Sequence, residues 1–195
     1  VGLVPVVVVT DSSARLPAAV ADSYGIIQVP LHLTLDGNDY LEDDENVPAD
    51  IVSTPGVTTA GAAPHDLVQA YGEAIELSKG DGVVAVHMSR KLSGTWSAGR
   101  LAAEDYSGQV RVVDSRSVGL AVGFVAIAAA QAAQDGADRD RAYETAIRQA
   151  ATVESLLCVQ NLDNLRNSGR ISAASKMLGS ALSIKPILHV VDLSL

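Results

Sequence analysis

The sequence carries a single cysteine, Cys158, so no disulfide can form within the chain. Its place in the apolar run Leu156-Leu157-Cys158-Val159 reads as a buried, inert thiol rather than a nucleophile. Cations are also few. Against 23 Asp and Glu stand 14 Lys and Arg, a net charge of −9 with His neutral, which gives neither nucleic acid nor an anionic membrane a favourable field. Bulky hydrophobic runs are missing too: residues 118–133 are uncharged but rich in Ala and Gly, short of a convincing membrane span. The apolar start at residues 6–9 is too short, and lacks the basic lead, for a cleavable signal. The expectation is a cytoplasmic chain with no nucleic-acid partner and no stable membrane insertion. Neither Gly-x-Gly-x-x-Gly nor a Walker loop occurs, so no nucleotide cofactor is expected. The acidic stretch 38–54, with Asp39, Glu42, Asp43, Asp44 and Glu45, lacks the Asp-x-Asp-x-Asp-Gly spacing of a calcium loop and reads as a solvated loop. His32, His65 and His189 are scattered singly, as packing or surface residues rather than metal ligands.

What is present is the patterning of a globular α/β protein. Hydrophobic residues make up 48% and charged ones 19% of 195 residues, enough to bury a real core. Val6-Val7-Val8-Val9 is a β-branched run of the kind covered on both faces, followed by Thr10-Asp11-Ser12-Ser13 and a helix over 16–24. Residues 26–35 read as a strand with Pro30 inside it, at an edge or a bulge, and Asp36-Gly37 as a turn. The run 58–64, Thr-Thr-Ala-Gly-Ala-Ala-Pro, is a small-residue loop with room for a ligand near the backbone, leading into a helix over 65–78. Further strands are expected over 83–88, 110–113 and 156–159, with helices from 96, over 119–134 with Gly136 as its C-cap, and over 139–153. A short helix over 162–165, a small-residue helix over 172–182 and a strand with a proline over 184–191 complete the expectation. The fold class is an open, mostly parallel sheet flanked by helices over residues 1–153, followed from 154 by the start of a second α/β domain that looks cut short.

Residues 82–104 are the centre of this organisation: a buried strand turns into a helix through Ser89, Ser93, Gly94 and Thr95. Ser93 and Thr95 suit helix caps, and Gly94 suits close approach of another group. Hydroxyls at a helix N-terminus can also hold a carboxylate or phosphate. Three strands end in Asp11-Ser12-Ser13, Ser89 to Ser93 and Asp114-Ser115. In an open α/β sheet such ends converge on the ligand crevice. An enzyme reading stands beside a binding one: Ser93 as the nucleophile of a serine hydrolase with His87 or His65 as base, although the Gly-x-Ser-x-Gly elbow is missing.

Seven segments in order carry a resemblance across essentially the whole chain: Val-Thr-Asp-Ser-Ser (9–13), Val-Pro-Leu (29–31), Thr-Thr-x-x-x-x-Pro (58–64), Leu-Ser-Gly-Thr (92–95), Val-Asp-Ser (113–115), Ser-Gly-Arg-Ile-Ser (168–172) and Ile-Lys-Pro-Ile-Leu (184–188). Together they resemble the DegV family of fatty-acid-binding proteins. The resemblance implies a lipid carrier without catalysis of its own, needing no cofactor or metal. It would enclose one long-chain fatty acid and present its carboxyl to a separate ATP-dependent fatty-acid kinase, which makes acyl phosphate for phospholipid synthesis. Carried over by motif, Ser93 with Gly94 and Thr59 with Ala60 would hold the carboxylate, beside Ser12 and Ser13, with Arg170 near the mouth where kinase and phosphoryl group meet. Two departures stand out. The family's Thr-Ser-x-Pro-Ser loop is here Thr59-Ala60-Gly61-Ala62-Ala63, leaving Thr59 as its only hydroxyl. The family's later His-Val-Gly-Pro-Gly-like segment has no counterpart, and His189 is not that histidine. The apolar tail would need a tunnel, for which Val118, Gly119, Ala121, Val122 and Gly123 are candidates, or else those residues serve tight helix packing.

Overall fold

The computed structural model describes residues 6–43, 47, 51, 54–158, 165, 168–170 and 187–190. Its centre is a four-stranded, wholly parallel sheet in the order β2-β1-β6-β7, made of β2 (Ile26–Val29), β1 (Val7–Asp11), β6 (Val83–His87) and β7 (Val110–Asp114). Its β-branched residues are buried because helices cover both faces. On one face, Val8, Val84, Val86 and Val113 pack against α4 (Leu120–Gln134) and α5 (Arg139–Ala150), with Ala21 of α1 (Ala18–Tyr24). On the other, Val9, Val83, Ala85 and Val112 meet Leu67, Tyr71 and Ala74 of α2 (Pro64–Ser78) and Ala102 of α3 (Thr95–Ala102).

Local chemistry sets the helix ends. Pro64 opens α2 at a position that needs no N–H donor. Asp138 caps α5 by accepting from the Arg141 N–H at 2.9 Å. The uncharged α4 packs on α5 through alanines, with Ala126, Ala129, Ala130, Ala142 and Ala146 all buried.

The expected strand over 26–35 is two strands in two sheets. Proline has no N–H for a ladder, and the chain leaves the parallel sheet at Pro30-Leu31. β3 (His32–Leu35) instead pairs antiparallel with β4 (Asn38–Leu41) and β5 (Thr58–Ala60). Asp36 and Gly37, at φ 52° and 80°, form the tight hairpin turn between β3 and β4. Two stretches expected to be loops, 38–41 and 58–60, are therefore strands, their backbones paired through β3.

Among the described residues after α5, β8 (Leu156–Cys158) and β9 (Ile187–His189) join neither sheet and pair antiparallel with each other. Leu157 and Leu188 face the core, which turns Cys158 outward, exposed rather than buried. The helix expected over 172–182 lies outside the described residues, as do residues 162–164 of the short helix and 184–186 and 191 of the last strand. No helix among the described residues is long and apolar enough to cross a membrane.

Candidate functional site

Because β1, β6 and β7 run parallel, their C-terminal ends reach one edge of the sheet. Asp11, at the end of β1, is fully buried. Its carboxylate accepts from the Ser13 N–H at 3.2 Å, the Ser13 hydroxyl, the Met88 N–H at 3.1 Å and His87 Nδ1 at 3.0 Å. The other ring nitrogen of His87, Nε2, lies 2.7 Å from the Tyr71 hydroxyl, and both side chains are fully buried. Burial, reinforced by the charge of Asp11, pushes the Tyr71 phenol far above its ordinary value, so Tyr71 keeps its proton beside Nε2. Nδ1 carries a hydrogen and donates it to the Asp11 carboxylate. Gly99 lets α3 lie directly over this pair, since a Cβ there would come within 2.6 Å of the Tyr71 oxygen.

In this arrangement neither of the two histidines of the hydrolase reading is placed as a base for Ser93. Both nitrogens of His87 are engaged, and His65 stands 85% exposed beside Asp66. The hydroxyl of Ser93 is instead 2.9 Å from that of Thr95 and accepts from the Thr95 N–H at 3.2 Å. Among the described residues, no group of three or more His, Cys, Asp or Glu is placed to hold a metal ion.

Beside the strand ends lies a cavity of about 400 Å³, within the size range of ligand sites. Ser93 enters it from the turn before α3, Thr59 and Ala60 from β5, Ser13 from the turn after β1, and Arg170 from the C-terminal part of the chain. Five of the expected binding residues thus meet around one hollow. Leu31, Met88, Leu92, Val118, Leu157 and Leu165 give it apolar walls. Arg170 donates through Nε to the Leu92 carbonyl at 3.0 Å.

Two expected residues do not line it. The Ser12 hydroxyl accepts from the Leu31 N–H at 3.0 Å and donates to Glu42, so it is a strut between the β1 turn and the bend after Pro30. Gly94 has open space where a Cβ would stand, and the close approach belongs to Gly61, whose Cβ would come within 2.7 Å of Thr95 Oγ1 and 3.0 Å of Ser93 Oγ. Of the candidate tunnel residues, Val118 and Gly119 reach the cavity. Ala121 and Val122 are buried, and Gly123 packs against Leu16, whose Cδ2 would lie 2.7 Å from an added Cβ.

The sequence reading missed Arg15 and Glu42, which line the cavity as an ion pair at 3.1 Å. Glu42 looked like one acid among many, and only the β3–β4 hairpin brings it back to residue 15. It missed Tyr71 as well, because nothing in a helical pattern shows that its hydroxyl meets a histidine on a strand.

Compared with known proteins, residues 5–195 match a family model described as "Uncharacterised protein, DegV family". A DegV domain-containing protein from Mycobacterium tuberculosis is 48% identical over 187 residues, covering 96% of this chain and 66% of the relative. The chain thus spans just under two thirds of that relative's length. Among solved structures, a DegV family protein from Thermus thermophilus, described as binding fatty acid, is similar with a TM-score of 0.86 and 31% identity, over 97% of this chain and 69% of that one. DegV from Bacillus subtilis, described as a fatty acid binding protein, is similar with a TM-score of 0.82 and 29% identity over the same shares.

Proposed function

The chain belongs to the DegV family, and from that premise we propose that it holds one long-chain fatty acid, its carboxyl group at Ser93 and Thr59. The observation that carries the reading is the meeting of these two hydroxyls, one from the turn before α3 and one from β5, in one cavity whose remaining walls are largely apolar. The described fatty-acid binding of the Thermus and Bacillus proteins supports it. At about 0.8 kcal/mol per buried CH₂, a fourteen-carbon tail offers on the order of 10 kcal/mol gross. Each hydrogen bond to the head group adds about 1 kcal/mol. The tail supplies affinity and the hydroxyls fix orientation.

The chain acts as a carrier, not a catalyst: Ser93 has no imidazole to activate it, and Arg170 and the Arg15–Glu42 pair make the polar side of the cavity. A separate ATP-dependent kinase, met in the cytoplasm, phosphorylates the presented carboxyl. Mass spectrometry of the denatured chain is expected to release about one long-chain acid per chain, as for a single-site carrier. Ser93→Ala weakens retention about fivefold, the value of one hydrogen bond to the head group, and neither protein turns over a short-chain ester. Release of no acid from freshly purified chain, or ester turnover that Ser93→Ala abolishes, contradicts the reading.

A further inference from the structure

The hydroxyls around the cavity are not interchangeable, because each has a hydrogen already assigned or free. Thr95 is fully buried and its oxygen accepts from the Ala62 N–H at 3.2 Å. Among the described residues the one acceptor for its own hydrogen is Ser93 Oγ, 2.9 Å away. Ser93 Oγ then accepts from both the Thr95 hydroxyl and the Thr95 N–H, and its hydrogen is left for the cavity. Ser93 is a donor. Ser13 is the reverse: its hydroxyl hydrogen goes to the buried Asp11, leaving only lone pairs for the cavity it lines. That polarity is locked from behind, since Asp11 is held by the Met88 N–H and by His87, itself fixed by Tyr71.

A carboxylate offers acceptors alone and finds nothing to give Ser13. Resting on the carrier reading above, we propose that the cavity holds the fatty acid as the protonated carboxylic acid, its carbonyl oxygen toward Ser93 and Thr59 and its hydroxyl toward Ser13. Asp11 is the positioning residue that makes Ser13 an acceptor. Of the charges around the cavity, Arg15 is neutralised by Glu42 at 3.1 Å, Asp11 behind Ser13 favours the neutral acid over the anion, and Arg170, its Nε turned to the Leu92 carbonyl, is the one lining cation among the described residues that favours the anion. An acid is also cheaper to bury than an anion.

The test loads the 195-residue chain with palmitic acid labelled with carbon-13 at the carboxyl carbon and follows that signal against pH. The bound carboxyl is expected to titrate about one pH unit higher in the wild type than in Ser13→Ala, a tenfold difference in proton affinity from one hydrogen bond. Asp11→Asn moves it the same way as Ser13→Ala, because the amide can donate to Ser13 and release its hydrogen to the cavity. Where Asp11→Asn fails to fold, Ser13→Ala alone decides. Equal midpoints in wild type and Ser13→Ala, or a carboxyl ionised at every pH where the chain is folded, overturn the proposal while leaving the carrier reading intact. No labelled acid bound at all overturns the carrier reading and this proposal together.

Discussion

Gly61 governs how closely β5 approaches Ser93. A methyl group there would stand 2.7 Å from Thr95 Oγ1 and 3.2 Å from the Thr95 nitrogen, and the backbone nitrogen cannot swing aside. Gly61→Ala is therefore expected to cost about 1–3 kcal/mol of stability, as overpacking does, and, on the proposed carrier reading, to weaken fatty-acid retention by displacing Thr59. Gly94→Ala is the control: it has open space and a helical φ of −73°, so its urea midpoint stays level or rises slightly. Equal effects of the two changes would disprove the close-approach account. At this scale the sequence was readable where a motif marked the residue, as with Ser93 and Thr59. Contacts between distant residues were not. Asp11 and His87 are 76 positions apart, and each looked like an isolated polar residue at the end of an apolar run. The roles of two neighbouring glycines were reversed because small-residue turns look alike before their surroundings are known.

Among the elements, the β3–β4 hairpin is fastened to α2 through one imidazole. His32 Nδ1 lies 2.7 Å from Asp39 of β4 and Nε2 3.0 Å from Asp66 of α2, with His65 beside Asp66. Burial works to lower the His32 pKa, but hydrogen bonds to Asp66 and Asp39, and their charges, outweigh it and leave it above the ordinary 6.5. The folded chain then binds more protons than the unfolded one between 6.5 and the raised value. The stabilisation is complete below that window and is lost as pH rises through it. Urea midpoints measured from about pH 6 to about pH 8 are expected to fall more steeply for the wild type than for His32→Gln. Parallel slopes would remove the clamp. The hairpin was the least legible element: Asn38-Asp39-Tyr40-Leu41 is mostly exposed and has little strand propensity, so its pairing comes from Leu33 and the turn rather than from its own pattern. β1, β6 and β7 were legible for the opposite reason. Burial on both faces favoured runs of valine, broken in β7 by Arg111 and in β6 by Ala85.

For the molecule as a whole, two apolar cores on opposite faces of the parallel sheet act against a surface with a net charge of −9. The exposed ion pairs, such as Arg111–Asp140 at 3.0 Å, each contribute at most about 1 kcal/mol. Net self-repulsion is expected to outweigh them. Raising ionic strength from about 0.01 M to about 0.15 M shortens the screening length from about 30 Å to about 8 Å. The thermal midpoint is expected to rise by about 2–4 °C, the equivalent of about 1 kcal/mol for a chain of this size. A fall would show that the ion pairs dominate. Fold class was readable at this scale because alternating strand and helix patterns leave few architectures. The pairing of Leu33 with both Tyr40 and Thr59 was not, since antiparallel order cannot be seen in a stretch that lacks alternation.

The bend at Pro30-Leu31 has a mechanical consequence. Only two residues join the last position of β2 to the first of β3, and Leu31 is itself part of the cavity wall. The spacing between the fixed floor of parallel strands and the side panel bearing Thr59 is thus set by a short, stiff spacer. On the carrier reading, lengthening it by one residue is expected to widen the hollow and change how thick a guest it admits.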